Sequence, residues 1–207
     1  MPTIVATSDL HRFLPEIEPC DLLLIAGDLC GPSDLPRQQA WLEGPFAQWL
    51  SQVPAVEVVG IAGNHDWIFE RAANRVPRLH WHYLQDCGIE LFGLKIYGSP
   101  WQPRFCDWAF NADEPELDRW FRSIPDDTDI LLTHGPAFCV GDRCVYGHLA
   151  GSPLLLEHIQ RVRPKLHVFG QIHKGYGSYR IGETVSANVS HVDLDDRPVN
   201  PPMMWEF

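Results

Sequence analysis

Long hydrophobic runs are missing from this 207-residue chain. Its longest apolar stretches, such as Leu22 to Ala26 and Val58 to Ala62, are five residues each, against the roughly 20 that a membrane-spanning helix needs. Also missing is a basic-then-apolar leader ahead of the first strand-like segment, Thr3 to Thr7, so no signal peptide is expected. Six cysteines (Cys20, Cys30, Cys87, Cys106, Cys139 and Cys144) form no C-x-x-C pair. Reduced thiols in a cytoplasmic protein are the expectation, with Cys30 and Cys139 as small apolar fillers. Positive charge is scarce: 16 Lys and Arg against 27 Asp and Glu leave a net charge of −11. That weighs against an extended nucleic-acid footprint. It does not weigh against a small phosphorylated substrate, because bound divalent ions can be the strongest local charges in a site. There is no repeat, no low-complexity tract and no linker, so one domain over residues 1–207 is expected. No membrane partner is expected; a monomer or a homodimer both fit.

The composition, 45% hydrophobic and 21% charged, is that of a folded protein. Five short β-rich apolar runs read as strands buried on both faces: Thr3 to Thr7, Asp21 to Ala26, Val56 to Ile61, Asp129 to Leu132 and Lys165 to Phe169. Helical stretches lie between them. Ser33-Asp34 can cap a segment bearing Trp41, Leu42, Phe46, Trp49, Leu50 and Val53, which Gly44-Pro45 should break or kink. Ser152-Pro153 reads as an N-cap and first-turn proline for a helix bearing Leu155, Leu156, Ile159 and Val162. Strands alternating with helices imply an α/β fold. Shorter strand-like pieces, Ile89 to Phe92 and Leu94 to Tyr97, lead into an aromatic, proline-bearing loop around Trp101, and Pro198 to Phe207 reads as an extended tail.

Chemistry gathers at the ends of the five strands. After the first comes Ser8-Asp9-Leu10-His11; after the second, Gly27-Asp28; after the third, Gly63-Asn64-His65-Asp66; after the fourth, Thr133-His134-Gly135-Pro136; after the fifth, Gly170-Gln171-Ile172-His173. In open α/β sheets the carboxyl ends of strands line the ligand crevice. Asp, Asn and His suit hard or borderline divalent metals such as Mn, Mg, Fe or Zn, and a carboxylate such as Asp28 can bridge two ions about 4 Å apart. Singly, each piece has an ordinary explanation: a helix cap, a turn dipeptide, a satisfied histidine. Five in register after five strands are hard to obtain from turn chemistry. His80, His82, His158, His167 and His191 show no ligand spacing and read as structural.

These blocks resemble the calcineurin-like metallophosphoesterase superfamily, with its pattern D-x-H…G-D…G-N-H-[DE]…H…G-H-x-H. They are closer still to its metallophosphoesterase-domain-containing (fetal-brain type) branch, through Ile61 to His65, Tyr97 to Trp101, Asp129 to Pro136, Arg163 to Gly170 and Asn200-Pro201-Pro202. The resemblance implies a four-layer βαββα-type sandwich of two mixed sheets flanked by helices, with a dimetal site at its edge. It implies that Asp9, His11 and His173 hold the first metal, Asp28 bridges, and Asn64 and His134 hold the second. Manganese is the leading expectation, with iron, zinc or magnesium as alternatives. His65 would act on the phosphate or as general acid, oriented by Asp66, with a hydroxide held by the metals as nucleophile. The implied activity is a phosphodiesterase acting on small phosphate esters such as cyclic nucleotides. The alternative is a nucleotide-binding or sensing module with little turnover.

The sequence departs from the pattern at Gln171, where the superfamily carries a histidine for the second metal. An amide oxygen is a poorer ligand for a transition metal than imidazole, so a weak second site with reduced activity is expected. On the substrate side, Arg12 is a candidate to reach a phosphate oxygen, and Trp101 a candidate to stack on a base or aryl group. Trp101, Phe105, Trp108 and Phe110 equally suit a core closed under a long loop.

Overall fold

A computed structural model describes residues Met1–Phe207. The five apolar runs form strands β1 (Thr3–Thr7), β2 (Cys20–Ala26) and β3 (Ala55–Ile61) in one sheet and Ile130–Thr133 and Leu166–Phe169 in another. Between them in the chain lie β4 (His82–Tyr83), β5 (Cys87–Leu91), β6 (Leu94–Ser99), β7 (Gln102–Pro103) and β8 (Asn111–Ala112). The two later runs are therefore β9 and β10, followed by β11 (Gly177–Ile181), β12 (Thr184–Asn188) and β13 (Met203–Glu206). The first sheet has order β13-β1-β2-β3-β4, with β1 to β4 parallel and β13 antiparallel to β1. The second has order β11-β12-β10-β9-β6-β5; its central strands are parallel and both edge strands antiparallel. The tail expected to be extended thus becomes an edge strand.

Period-two alternation explains why the central strands read as unbroken apolar runs. Ile4, Ala6, Leu22, Leu24, Val59 and Ile61 of the first sheet face Ile130, Leu132, Leu166 and Val168 of the second in one buried cluster. Their neighbours Val5, Leu23, Ile25 and Val58 point the other way, under the helices of the first half. Leu131 and Phe169 do the same beneath the helices of the second half. The layers therefore run helices, sheet, sheet, helices.

The helix expected after Ser33 is capped by Asp34 and runs as α1 (Leu35–Trp41), a wide π-turn (Leu42–Phe46) and α2 (Ala47–Leu50). Pro45 does not end it, because the widened turn absorbs the missing N–H. Leu42, Phe46 and Leu50 keep facing the core. Trp67–Arg71 forms α3 directly after the Asn64-His65-Asp66 turn. Asp113 and Glu116 cap α4 (Glu114–Arg122) reciprocally, a helix not among those expected. In α5 (Pro153–Val162), Ser152 Oγ accepts from Leu155 N at 3.1 Å, as the N-cap expectation requires. No helix is long and apolar enough to cross a membrane.

Candidate metal centre

Backbone bonds tie the first strand end to the second and the fourth to the fifth. Asp9 N donates to Gly27 O and His11 N to Asp28 O, each at 3.0 Å, and Gly170 N donates to His134 O at 3.0 Å. Asp9, His11, Arg12, Asp28 and Gln171 all sit at positive φ, between 42° and 71°. Non-glycine residues keep that conformation only where the surroundings enforce it. Two glycines show how tight the packing is. A Cβ on Gly63 would collide with Asp28 Oδ1 and lie 2.6 Å from His134 Cε1; one on Gly170 would collide with Asp9 Oδ2 and Ser8 Oγ.

Into this frame project Asp9, His11, Asp28, Asn64, His65, His134 and His173. Three overlapping groups, Asp9–His11–His173, His11–Asp28–His65 and Asp9–Asp28–His134, each bring their ligand atoms within 4.8 Å of one another. Asp28 Oδ2 is approached by His11 Nε2 at 3.5 Å, His134 Nε2 at 3.5 Å and His65 Nε2 at 4.0 Å. Its other oxygen accepts from His65 N at 2.7 Å, which fixes the carboxylate. Asp9 is held by Ser190 Oγ at 2.8 Å and by Gln171 N at 3.1 and 3.0 Å, with His173 Nε2 3.4 Å away.

The donor set fits a cation. His134 Nδ1 donates to Ala26 O at 2.8 Å, while its Nε2 faces two acceptors, Asn64 Oδ1 at 2.9 Å and Asp28 Oδ2. Burial works against charging this imidazole, yet the Asp28 and Asp9 carboxylates raise it to about 9. His173 is likewise opposed by burial but raised to about 9 by Asp9. Burial also opposes the ionised Asp9, yet His173 and His134 hold it at about 2. The two carboxylates thus favour positive charge at these imidazoles. Both ring nitrogens of buried His11 and Asn64 Nδ2 lack any hydrogen-bond partner, an arrangement ordinarily avoided in an interior.

The remaining expected residues divide. Asp66 does not touch the His65 ring: its carboxylate accepts from Gly63 N at 2.8 Å, Leu29 N at 3.1 Å and Cys30 N at 2.8 Å. With its oxygens committed to main chain, it braces the loop after β2 against the loop after β3. The Gln171 side chain turns to Gln102, with Nε2 donating to Gln102 Oε1. Arg12 is exposed, lies over Gly31 and makes no ion pair. Trp101 is committed elsewhere: its indole N–H donates to Asp86 at 2.7 Å, and its ring stacks on Trp120 at 5.1 Å.

Two residues near the site lie outside the motifs that mark the strand ends. Trp108 packs 4.7 Å from the His65 ring and edge-on to half-exposed Phe105, and Ala109 N ties this loop to Asn64 O at 3.0 Å. Gln38 of α1 is fully buried; its Nε2 donates to His65 O at 2.7 Å and its Oε1 accepts from Ile68 N at 2.9 Å. No motif in the sequence marks Gln38.

The family model described as calcineurin-like phosphoesterase matches residues 2–175. The human protein called metallophosphoesterase domain-containing protein 1 is 33% identical over 98% of this chain and 70% of its own length. A Caenorhabditis elegans protein, UPF0046 protein T07D4.2, is 34% identical over 90% of this chain and 55% of its own. A solved crystal structure superposes over all of both chains with a TM-score of 0.69 at 16% identity, which bears on the fold alone.

Proposed function

The chain belongs to the calcineurin-like phosphoesterase family, and from that premise we propose that it is a dinuclear-metal phosphodiesterase acting on small phosphate esters, with cyclic nucleotides as the leading class. The observation that carries this reading is the approach of three imidazole nitrogens, from His11, His65 and His134, to one oxygen of Asp28. Such an oxygen suits a bridge between two cations. Asp9, His11 and His173 would hold one ion; Asn64 and His134 would hold the other. Divalent ions there would act as Lewis acids on a phosphoryl oxygen and make water nucleophilic at neutral pH. Manganese suits this mixture of carboxylate, amide and imidazole donors, as iron, zinc and magnesium do in part.

The chain's own groups favour a diester. Burial lowers His65 below the usual histidine value, which suits a role as N–H donor to a phosphoryl oxygen. Its main chain is fixed on both sides, by Asp28 and by Gln38. Arg12 is the one unpaired cation of the D-x-H turn. Trp108 and Phe105 supply an aromatic wall beside His65, suited to a base or aryl leaving group. Six free cysteines accord with a reducing, cytoplasmic setting.

Hydrolysis of bis-p-nitrophenyl phosphate and of p-nitrophenyl phosphate, each with manganese and with EDTA, tests the reading. The diester should turn over faster, EDTA should abolish both rates, and His65→Ala should lose nearly all turnover while retaining metal. A faster monoester would reverse the substrate preference. The pairing of Gln171 with Gln102 favours a second reading, a nucleotide-binding module with a weakened second site. Tight nucleotide binding without hydrolysis of either ester would select it.

A further inference from the structure

Imidazoles that hold metals are fixed by what their outward nitrogen donates to. Two histidines of the centre have such a partner in the main chain: His134 Nδ1 donates to Ala26 O at 2.8 Å, and His173 Nδ1 to Asp193 O at 2.9 Å. His11 has none. Its side chain is buried, both ring nitrogens are unpartnered, and Nδ1 faces Asp196 Oδ1 at 3.6 Å.

Asp193 and Asp196 belong to one tight turn, which lies beyond residues 2–175 where the family model matches. The Asp193 carboxylate closes the turn, accepting from Asp195 N at 2.9 Å, Arg197 N at 3.0 Å and Arg197 Nε at 2.9 Å. Asp196 N donates back to Asp193 O at 3.1 Å. Asp196 sits at φ 54°, a left-handed conformation that Asp tolerates better than most residues. The turn is thus built by its own side chains, and from it Asp193 reaches His173 while Asp196 reaches His11.

We propose that the 193–197 turn is a brace for the metal centre, in which Asp196 is a positioning residue that holds His11 through Nδ1 so that Nε2 presents its lone pair to the ion. The inference rests on the metal-site reading above. The separation of 3.6 Å is a small side-chain rotation from hydrogen-bond length, and such contacts commonly tighten only in the loaded site. A carboxylate behind the imidazole orients the ring and raises its basicity as a ligand.

The test uses the full chain as wild type, Asp196→Ala, Asp196→Asn, Asp195→Ala and His11→Ala, with manganese affinity measured by chelator competition. Tautomers of the metal-free histidines are read from side-chain 15N spectra across a pH series. Asp196→Ala should weaken manganese binding about 10- to 100-fold and lower the Nδ1–H population of His11. Asp196→Asn, which keeps an acceptor and tolerates the left-handed backbone, should recover part of both. Asp195→Ala, which removes only an exposed contact to Arg197, should bind as wild type does. If Asp196→Ala matches wild type in affinity and tautomer while His11→Ala loses metal, the brace is refuted and the centre stands. If Asp195→Ala weakens binding as much as Asp196→Ala, the turn acts only through its integrity, and the proposal falls. If wild type and His11→Ala bind manganese equally poorly, the underlying metal reading fails.

Discussion

Stripped of metal, the protein should lose stability steadily between pH 7 and pH 9. In the folded state burial opposes protonation of His134 and His173, yet the neighbouring carboxylates raise both to about 9; an unfolded histidine titrates near 6.5. A raised folded pKa gives stability that is complete below the unfolded value and is lost as pH climbs through the folded one. Linkage gives a loss of about 2 kcal/mol per histidine from pH 7 to pH 9, and roughly 2–4 kcal/mol for both, since they lean on the same carboxylates. Other groups do not reverse the trend. Asp9 titrates at about 2 and His167, lowered by burial, at about 3, both below the window. Cys30, raised by burial, adds a loss of the same sign at the alkaline end. Urea unfolding of EDTA-treated protein at pH 7, 8 and 9, at constant ionic strength, measures the slope. Saturating manganese should remove it, because ligating imidazoles are unprotonated throughout. Metal-free stability that stays level from pH 7 to pH 9 would refute the assignment of excess protons to this carboxylate–imidazole cluster.

Three further perturbations separate the frame from the chemistry. In Gly63→Ala the new methyl would collide with Asp28 and His134; manganese content by elemental analysis should fall, at a stability loss of about 1–3 kcal/mol. Gln38→Leu leaves the half-buried His65 carbonyl and the buried Ile68 N–H without their side-chain partners, and the buried N–H alone costs about 1–3 kcal/mol. Steady-state kinetics of this variant should show a lower kcat with metal content unchanged. Leu24→Ala empties a fully buried position between the sheets; denaturant melts should show a loss of about 2–5 kcal/mol, with metal affinity of the folded protein intact.

Strand ends were legible in the sequence because strands buried on both faces read as continuous apolar runs, and polar motifs interrupt them abruptly. β1 was read to its residue, and the other four central strands to within one at each end. The hairpin of β11 and β12 was missed, since Gly177-Ser178-Tyr179-Arg180 alternates weakly at a sheet edge. α4 was missed because its surface is mostly charged, with only Leu117 and Phe121 buried. At the site, donor types were readable but partner choice was not. Asp66 follows His65 in sequence, yet its carboxylate turns to backbone N–H groups of two loops. Trp101 and Trp108 are alike as letters; the difference is that Trp101 finds Asp86 and Trp120, whereas Trp108 meets His65.

At position 171 main chain and side chain act separately, and this explains how the site tolerates the departure there. Gln171 N donates to both oxygens of Asp9, a bond that the backbone makes whatever side chain follows. The exchange of imidazole for amide therefore leaves the Asp9–His173 side of the centre pinned. The amide itself pairs with Gln102, a fully buried residue whose N–H is anchored on Phe110 O at 3.1 Å. That contact ties the fifth strand end to the loop that carries Trp108 against His65. On the proposed two-metal reading, a second ion would lose a donor while the loop bearing Trp108 gains an anchor. Under this reading the two effects are separable: Gln171→His should raise the rate at limiting manganese and weaken the hold on an aryl diester, whereas Gln102→Ala should do only the second.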